Sequence, residues 1–234
     1  MRIDKFLSNA GIGSRNDVHI LIKQKCVRVN GNLILKAGHQ IDPHKDIVTC
    51  NDIEVNFKQY RYFIFNKPKG YVSANVDDKY PTIMDFFSHL KIKGLTHVGR
   101  LDLNTTGAIL ICNDGKLGHH LIAPKSEIEK IYEVTIDNTF IESDIDKCLE
   151  GIVLENDEKT RPAKLEIISP NLAHLTLHEG KYHEVKRMMR KLGHEVIELH
   201  RLQFSFLRVD DLKIGEFREL NQEEIDKLLS LCRL

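Results

Sequence analysis

The spacing of apolar residues changes several times along this chain, and each change marks an element. Ile3, Phe6, Leu7 and Ala10 fall on one face of a short helix over 2–10, which Gly11-Ile12-Gly13 breaks. Ser14, with Asp17 three residues on, has the pattern of an N-cap. It predicts a second helix to about Lys25, with Val18, Leu21 and Ile22 as its stripe. Val27-Arg28-Val29, the turn Asn30-Gly31 and Leu33-Ile34-Leu35 read as a tight hairpin. Ile47-Val48 starts another short strand. Residues 51–60 lack a sustained apolar run, which places a linker there.

Beyond the linker, Tyr62-Phe63-Ile64-Phe65 reads as a strand leading into the Pro/Gly loop Asn66-Lys67-Pro68-Lys69-Gly70. Pro81 opens a predicted helix with Ile83, Phe86, Phe87 and Leu90 as its core stripe. Gly107 to Cys112 is an unbroken apolar run ending at Asn113-Asp114-Gly115, the pattern of a strand buried on both faces. A helix with Leu117 and Leu121 follows. Tyr132, Val134 and Ile136 share one face of a strand by its period of two. After an acidic helix over 142–150, two alternating segments, 163–167 and 173–177, read as strands with one wet face. Val185, Met188, Met189 and Leu192 make the stripe of a helix closed by Gly193. A strand over 197–202 and a tail helix with Ile225, Leu228, Leu229 and Cys232 complete the pattern. The predicted fold class is α+β: a small domain over 1–50, a linker over 51–60, and a large domain over 61–234. Its mixed, mainly antiparallel sheet is flanked by helices.

Composition narrows the function classes. No apolar run approaches the roughly 18 residues that span a bilayer, so no membrane role is expected. The N-terminus lacks a signal-peptide core. Five widely spaced cysteines, with no CxxC pair, suit reduced thiols in the cytoplasm. None of the twelve histidines sits in an HExxH or Cys/His knuckle pattern, and GxGxxG and Walker motifs are missing. No metal and no cofactor are therefore expected. Net charge is zero, but it is segregated. Lys and Arg prevail in 1–60 and in Lys181–Lys191, while acidic residues gather in 137–158 and 210–226. That distribution permits a basic face on a neutral molecule.

The candidate chemistry lies just before the buried strand, in Gly99-Arg100-Leu101-Asp102-Leu103-Asn104-Thr105-Thr106. A rigid strand holding a polar loop is a good way to position a reactive carboxylate, although an aspartate there also suits a turn cap. Tyr132 by itself reads as core, and Lys186 as a solvated lysine bordering an apolar stripe.

The whole stretch GRLDLNTTGAILICNDG resembles the central motif of the pseudouridine synthases, in particular those that modify bacterial ribosomal RNA. Ala108 departs from the larger aliphatic usual there. KPKG at 67–70 is similar to the family's first motif, KIYEV at 130–134 to its tyrosine segment, and EGKYHEVKRM at 179–188 to its third motif. The resemblance implies that Asp102 is the nucleophile, that Tyr132 stands against the target base, and that Lys186 is the basic partner of Asp102. It also implies that Arg100 contacts the everted nucleotide's phosphate or fills the gap it leaves. Lys67, Lys69 and Arg187 are expected to contact RNA. The third motif fits the small-subunit branch. The large-subunit branch would have asparagine and arginine in place of Tyr182-His183, and arginine in place of Lys186.

The first 50 residues resemble the S4-like RNA-binding module, in which cations of the second helix and hairpin grip phosphates. Arg15, Lys23, Lys25 and Arg28 are the matching cations, with Lys36 nearby. The expected partner is small-subunit rRNA, or an assembling small-subunit particle, bound by a monomer. Two other readings stay open: a synthase acting on large-subunit rRNA, and a non-catalytic RNA-binding or ribosome-assembly protein.

Overall fold

In the computed structural model, which describes residues 1–232 apart from 44, 56, 57 and 156, Ser14 and Asp17 cap each other reciprocally. The Asp17 amide donates to Ser14 Oγ, and the Ser14 amide donates to Asp17 Oδ2 at 2.9 Å. This capping box separates α1 (Ile3–Asn9) from α2 (Arg15–Lys23). Both helices pack on an antiparallel sheet of β1 (Val27–Val29), β2 (Asn32–Leu33), β3 (Val48–Cys50) and β4 (Ile53–Glu54), in the order β2-β1-β3-β4. Asn30 and Gly31 both take positive φ, as a two-residue hairpin turn requires. Ile3, Phe6, Leu7, Val18, Ile22, Val27 and Val48 form the core.

This first unit runs through Met1–Arg61 and includes His89–Gly94. The packed unit thus continues past residue 50, where the sequence places the end of the small domain. The chain reverses at Asn51-Asp52, both at positive φ, β4 pairs with β3, and Val55 joins the core. Two strand residues exposed on both sides carry no alternation, so the pattern could not show them. Asn56 and Phe57, within the expected linker, lie outside the described residues.

The second unit holds Tyr62–Ser88 and Leu95–Leu234. Its strands are β5 (Tyr62–Lys67), β6 (Thr96–Val98), β7 (Thr106–Cys112), β8 (Lys130–Ile136), β9 (Lys164–Ser169), β10 (Leu172–Leu177), β11 (Val196–Phe204), β12 (Leu207–Arg208) and β13 (Phe217–Glu219). The main path is β13-β5-β7-β11-β8-β10-β9, with β6 beside β7 and β12 beside β11. Among the described strands only β7 and β11 run parallel, so the sheet is mixed and mainly antiparallel. Around it lie α3 (Gly115–Ile122), α4 (Glu142–Glu150), α5 (Glu184–Leu192) and α6 (Gln222–Cys232).

The β7 strand is the buried centre that its apolar run predicts. Ala108, Leu110 and Cys112 face Tyr62, Ile64, Leu117, Leu121 and Leu228, while Ile109 and Ile111 register with Phe65 and Phe63 on β5. Removing each such large side chain from water stabilises the fold by about 1.5–3 kcal/mol. Asp114 ends the strand and caps α3, accepting from the amides of Lys116 and Leu117 and from the Tyr62 hydroxyl.

One predicted α-helix is instead a 3₁₀ helix, Ile83–Leu90. Its aromatic residues still supply core contacts. Phe86 and Phe87 both lie against Phe65, at ring-centre distances of 5.0 and 5.4 Å, and Phe87 lies 4.3 Å from Phe217.

Candidate active site

The loop carrying Asp102 is held from below by Lys67. This lysine ends β5 with its side chain wholly buried. Its amine donates to the carbonyls of Pro68 at 3.0 Å, Asp102 at 3.0 Å, Leu103 at 3.4 Å and Thr105 at 2.9 Å. Burial pushes the amine down to about 8, against the opposing pull of the Asp102 charge. The expectation of an RNA contact is thus corrected: Lys67 shapes the loop from inside and presents nothing to solvent. Ser73 adds a second tie, donating to the Leu101 carbonyl and accepting from the Leu101 amide.

Above this base the Asp102 carboxylate is about a quarter exposed. Its Oδ2 lies 2.8 Å from the Lys186 ammonium on α5. Its Oδ1 lies 3.4 Å from His183 Nε2. Tyr132 reaches the same cavity from β8, and its hydroxyl accepts from Arg201 Nη1 at 3.5 Å. The cavity encloses about 440 Å³ and is lined by Arg100, Asp102, Tyr132, His183, Lys186 and Arg201, among others. That volume lies within the range of small-ligand sites.

Arg201 is nearly fully buried on β11, opposite Tyr132. Its Nε donates to the Ala108 carbonyl at 2.6 Å, its guanidinium sits 5.2 Å from the Phe204 ring centre, and its Nη2 has no partner. Lys130 shares the same wall. Burial pushes its amine down to about 8, helped by the Arg201 charge. On the opposite flank, burial and the neighbouring Glu179 push Glu184 up to about 7. Glu184 Oε2 accepts from the Lys181 amide at 2.8 Å.

Of the residues singled out in the sequence, Asp102, Tyr132, Lys186 and Arg100 line one cavity. Lys69 pairs with Glu198 at 2.9 Å and is half exposed. Arg187 turns to Glu155 at 3.2 Å and Glu158 at 3.7 Å. Arg15, Lys23, Lys25 and Arg28 are exposed on the first unit, with Arg28 at 3.7 Å from Asp52. Sequence reasoning missed His183, Arg201, Lys130 and Glu184. Lys130, His183 and Glu184 stood inside quoted motifs, which were their only signal. Among the described residues no group of three or more His, Cys, Asp or Glu could hold a metal ion, and no helix is long and apolar enough to cross a membrane.

Comparison with known proteins gives consistent matches. The RNA pseudouridylate synthase family model matches residues 61–191, and the S4 domain model matches 1–47. The ribosomal small subunit pseudouridine synthase A of Haemophilus influenzae is 39% identical over 232 residues, covering 98% of this chain and 100% of that protein. The protein of the same name in Escherichia coli is 36% identical over 227 residues, covering 96% of this chain and 98% of that one. A solved crystal structure described as a pseudouridylate synthase superposes with a TM-score of 0.69 at 39% identity, covering 97% of this chain and 99% of the other.

Proposed function

This chain belongs to the RNA pseudouridylate synthase family, and on that premise we propose that it isomerises one uridine of small-subunit ribosomal RNA, with Asp102 as the nucleophile. The observation that carries the reading is the Asp102–Lys186 pair opening onto the same cavity as the Tyr132 ring. Full-length similarity to two small-subunit synthases supports the choice of RNA, and the S4 match supports a second point of RNA attachment. With ribosomal RNA as substrate, the enzyme works in the cytoplasm.

The reaction breaks the bond from uracil N1 to the ribose anomeric carbon and rejoins the base through carbon 5. The electron pair of the broken bond goes to the base. Carbon 5 then bonds the sugar and gives up its proton, and N1 takes one up. A carboxylate beside the sugar can attack the anomeric carbon or support its positive charge, as in glycosidases. Lys186 orients Asp102 within the cavity. Uridine stacked in RNA hides its sugar, so it enters the cavity everted. Tyr132 then lies against the base, and Arg100, exposed on the lining, is placed for the neighbouring phosphate.

The test is to make Asp102→Asn and map pseudouridines in both ribosomal RNAs from cells carrying each form. The expected result is loss of one small-subunit site with RNA binding retained. No change at any site would overturn the enzyme reading, and loss confined to the large subunit would overturn the choice of RNA.

A further inference from the structure

Tyr182 is the most exposed aromatic side chain among the described residues of the second unit, at 76%. Its ring lies parallel to the His183 ring, with centres 3.9 Å apart and planes at 18°. His183 lines the cavity, and its Nε2 edge is 3.4 Å from Asp102 Oδ1. The two rings thus form a stack that begins at the catalytic carboxylate and ends in solvent. One face of Tyr182 is covered by His183, and its exposure leaves the other face open.

The backbone holds this pair in place. His183 takes φ +49 and ψ +33, a left-handed conformation uncommon for a side-chain-bearing residue, immediately before α5. Lys181 donates its amide to the buried Glu184, and the Tyr182 carbonyl accepts from Arg187 Nη1 at 3.3 Å. An ordered ring with one free face loses little freedom when a planar partner covers it.

We infer that Tyr182, backed by His183, is a stacking platform for the RNA base next to the everted uridine. The inference rests on the synthase reading above and adds a residue that fixes where the RNA strand lies at the mouth. Eversion removes one base from the stack and leaves a neighbouring base with a bare face. The open face of Tyr182 replaces the lost partner. Every base has a π-face, so this contact tolerates sequence. Its position at the rim commits it to a flanking nucleotide, because the everted base occupies the cavity beside Tyr132.

The test uses the full-length enzyme and a small-subunit rRNA fragment containing the mapped target uridine. The fragment is made with ordinary neighbours, or with an abasic nucleotide on the 5′ or the 3′ side of the target. Wild type is compared with Tyr182→Ala and Tyr182→Trp. Tyr182→Ala is expected to raise KM roughly 5- to 100-fold, the scale of base–aromatic stacking, with kcat within about twofold. Tyr182→Trp keeps the wild-type KM. An abasic neighbour on one side raises the wild-type KM by a similar factor and adds nothing to Tyr182→Ala. Equal abasic penalties in wild type and Tyr182→Ala, or an unchanged KM in Tyr182→Ala, would overturn the platform while leaving the synthase reading intact. If wild type forms no pseudouridine in the unmodified fragment, the synthase reading fails and the platform falls with it. Because Tyr182 is exposed, its truncation leaves no core cavity, and an unchanged melting temperature checks this.

Discussion

Gly107 of β7 lies so near β11 that a Cβ on it would stand 2.2 Å from the Arg201 carbonyl oxygen and 2.6 Å from the Arg201 amide nitrogen. The parallel register pairs these two residues directly, and Gly107 takes φ +107. Backbone cannot retreat as a flexible side chain can. Gly107→Ala is therefore expected to destabilise the second unit by about 3 kcal/mol or more, through overlap and an unfavourable φ together. Chemical denaturation, followed by the lowered midpoint, measures it.

Lys186 and His183 hold different oxygens of Asp102, at 2.8 and 3.4 Å. The lysine contact is the shorter, and its amine is a compact group that can approach the carboxylate closely. Lys186→Met is expected to lower kcat on the order of 100-fold, the scale of removing one preorganised electrostatic partner, with a much smaller change in KM. Initial rates of pseudouridine formation over a range of RNA concentrations separate the two parameters.

Lys67 acts at one remove. Lys67→Met would leave the carbonyls of Asp102, Leu103 and Thr105 without their shared donor in a buried place. The Asp102 and Leu103 carbonyls would keep the amides of Thr105 and Gly70, so a loss of about 1–3 kcal/mol is expected, offset in part by the easier burial of a neutral chain. Amide hydrogen exchange should speed up in 99–105, and kcat should fall because the Asp102 loop is no longer fixed.

The Glu179–Glu184 pair makes stability depend on pH. Glu184 is moved up from 4.5 to about 7 by burial and by Glu179. The folded chain keeps this proton to about pH 7, whereas the unfolded chain releases it near 4.5. Its stabilising contribution is thus complete below pH 4.5 and is lost as pH rises to about 7. Glu184→Gln imitates the protonated acid. Across that window wild type is expected to lose on the order of 1–3 kcal/mol relative to this variant. Melting temperatures recorded from pH 4.5 to 8 check the slope.

Periodicity showed the elements best where burial is one-sided or complete. The β7 run, the β8 alternation and the α5 stripe all appear near their expected places, because each pattern records which neighbour a side chain meets. It failed where tertiary contact decides. β4 is two exposed residues held only by pairing with β3. Ile83–Leu90 carries a helical pattern, but apolar spacing over eight residues does not separate a 3₁₀ winding from an α winding. At the site, motif resemblance marked Asp102, Tyr132 and Lys186. Charge alone misplaced Lys67, since nothing in the sequence tells a lysine facing solvent from one wrapped by carbonyls. Arg201 was invisible for the same reason: it occupies an ordinary strand position, and only the close approach allowed by Gly107 brings its backbone beside β7.

The amine that organises the Asp102 loop comes from a residue 35 positions earlier in the chain, on a different strand. Readiness for chemistry is therefore inseparable from foldedness. A molecule in which β5 has come away from β7 is not a slow catalyst but an inert one. An amine-selective label that reaches Lys67 would report how many copies in a population have lost that competence.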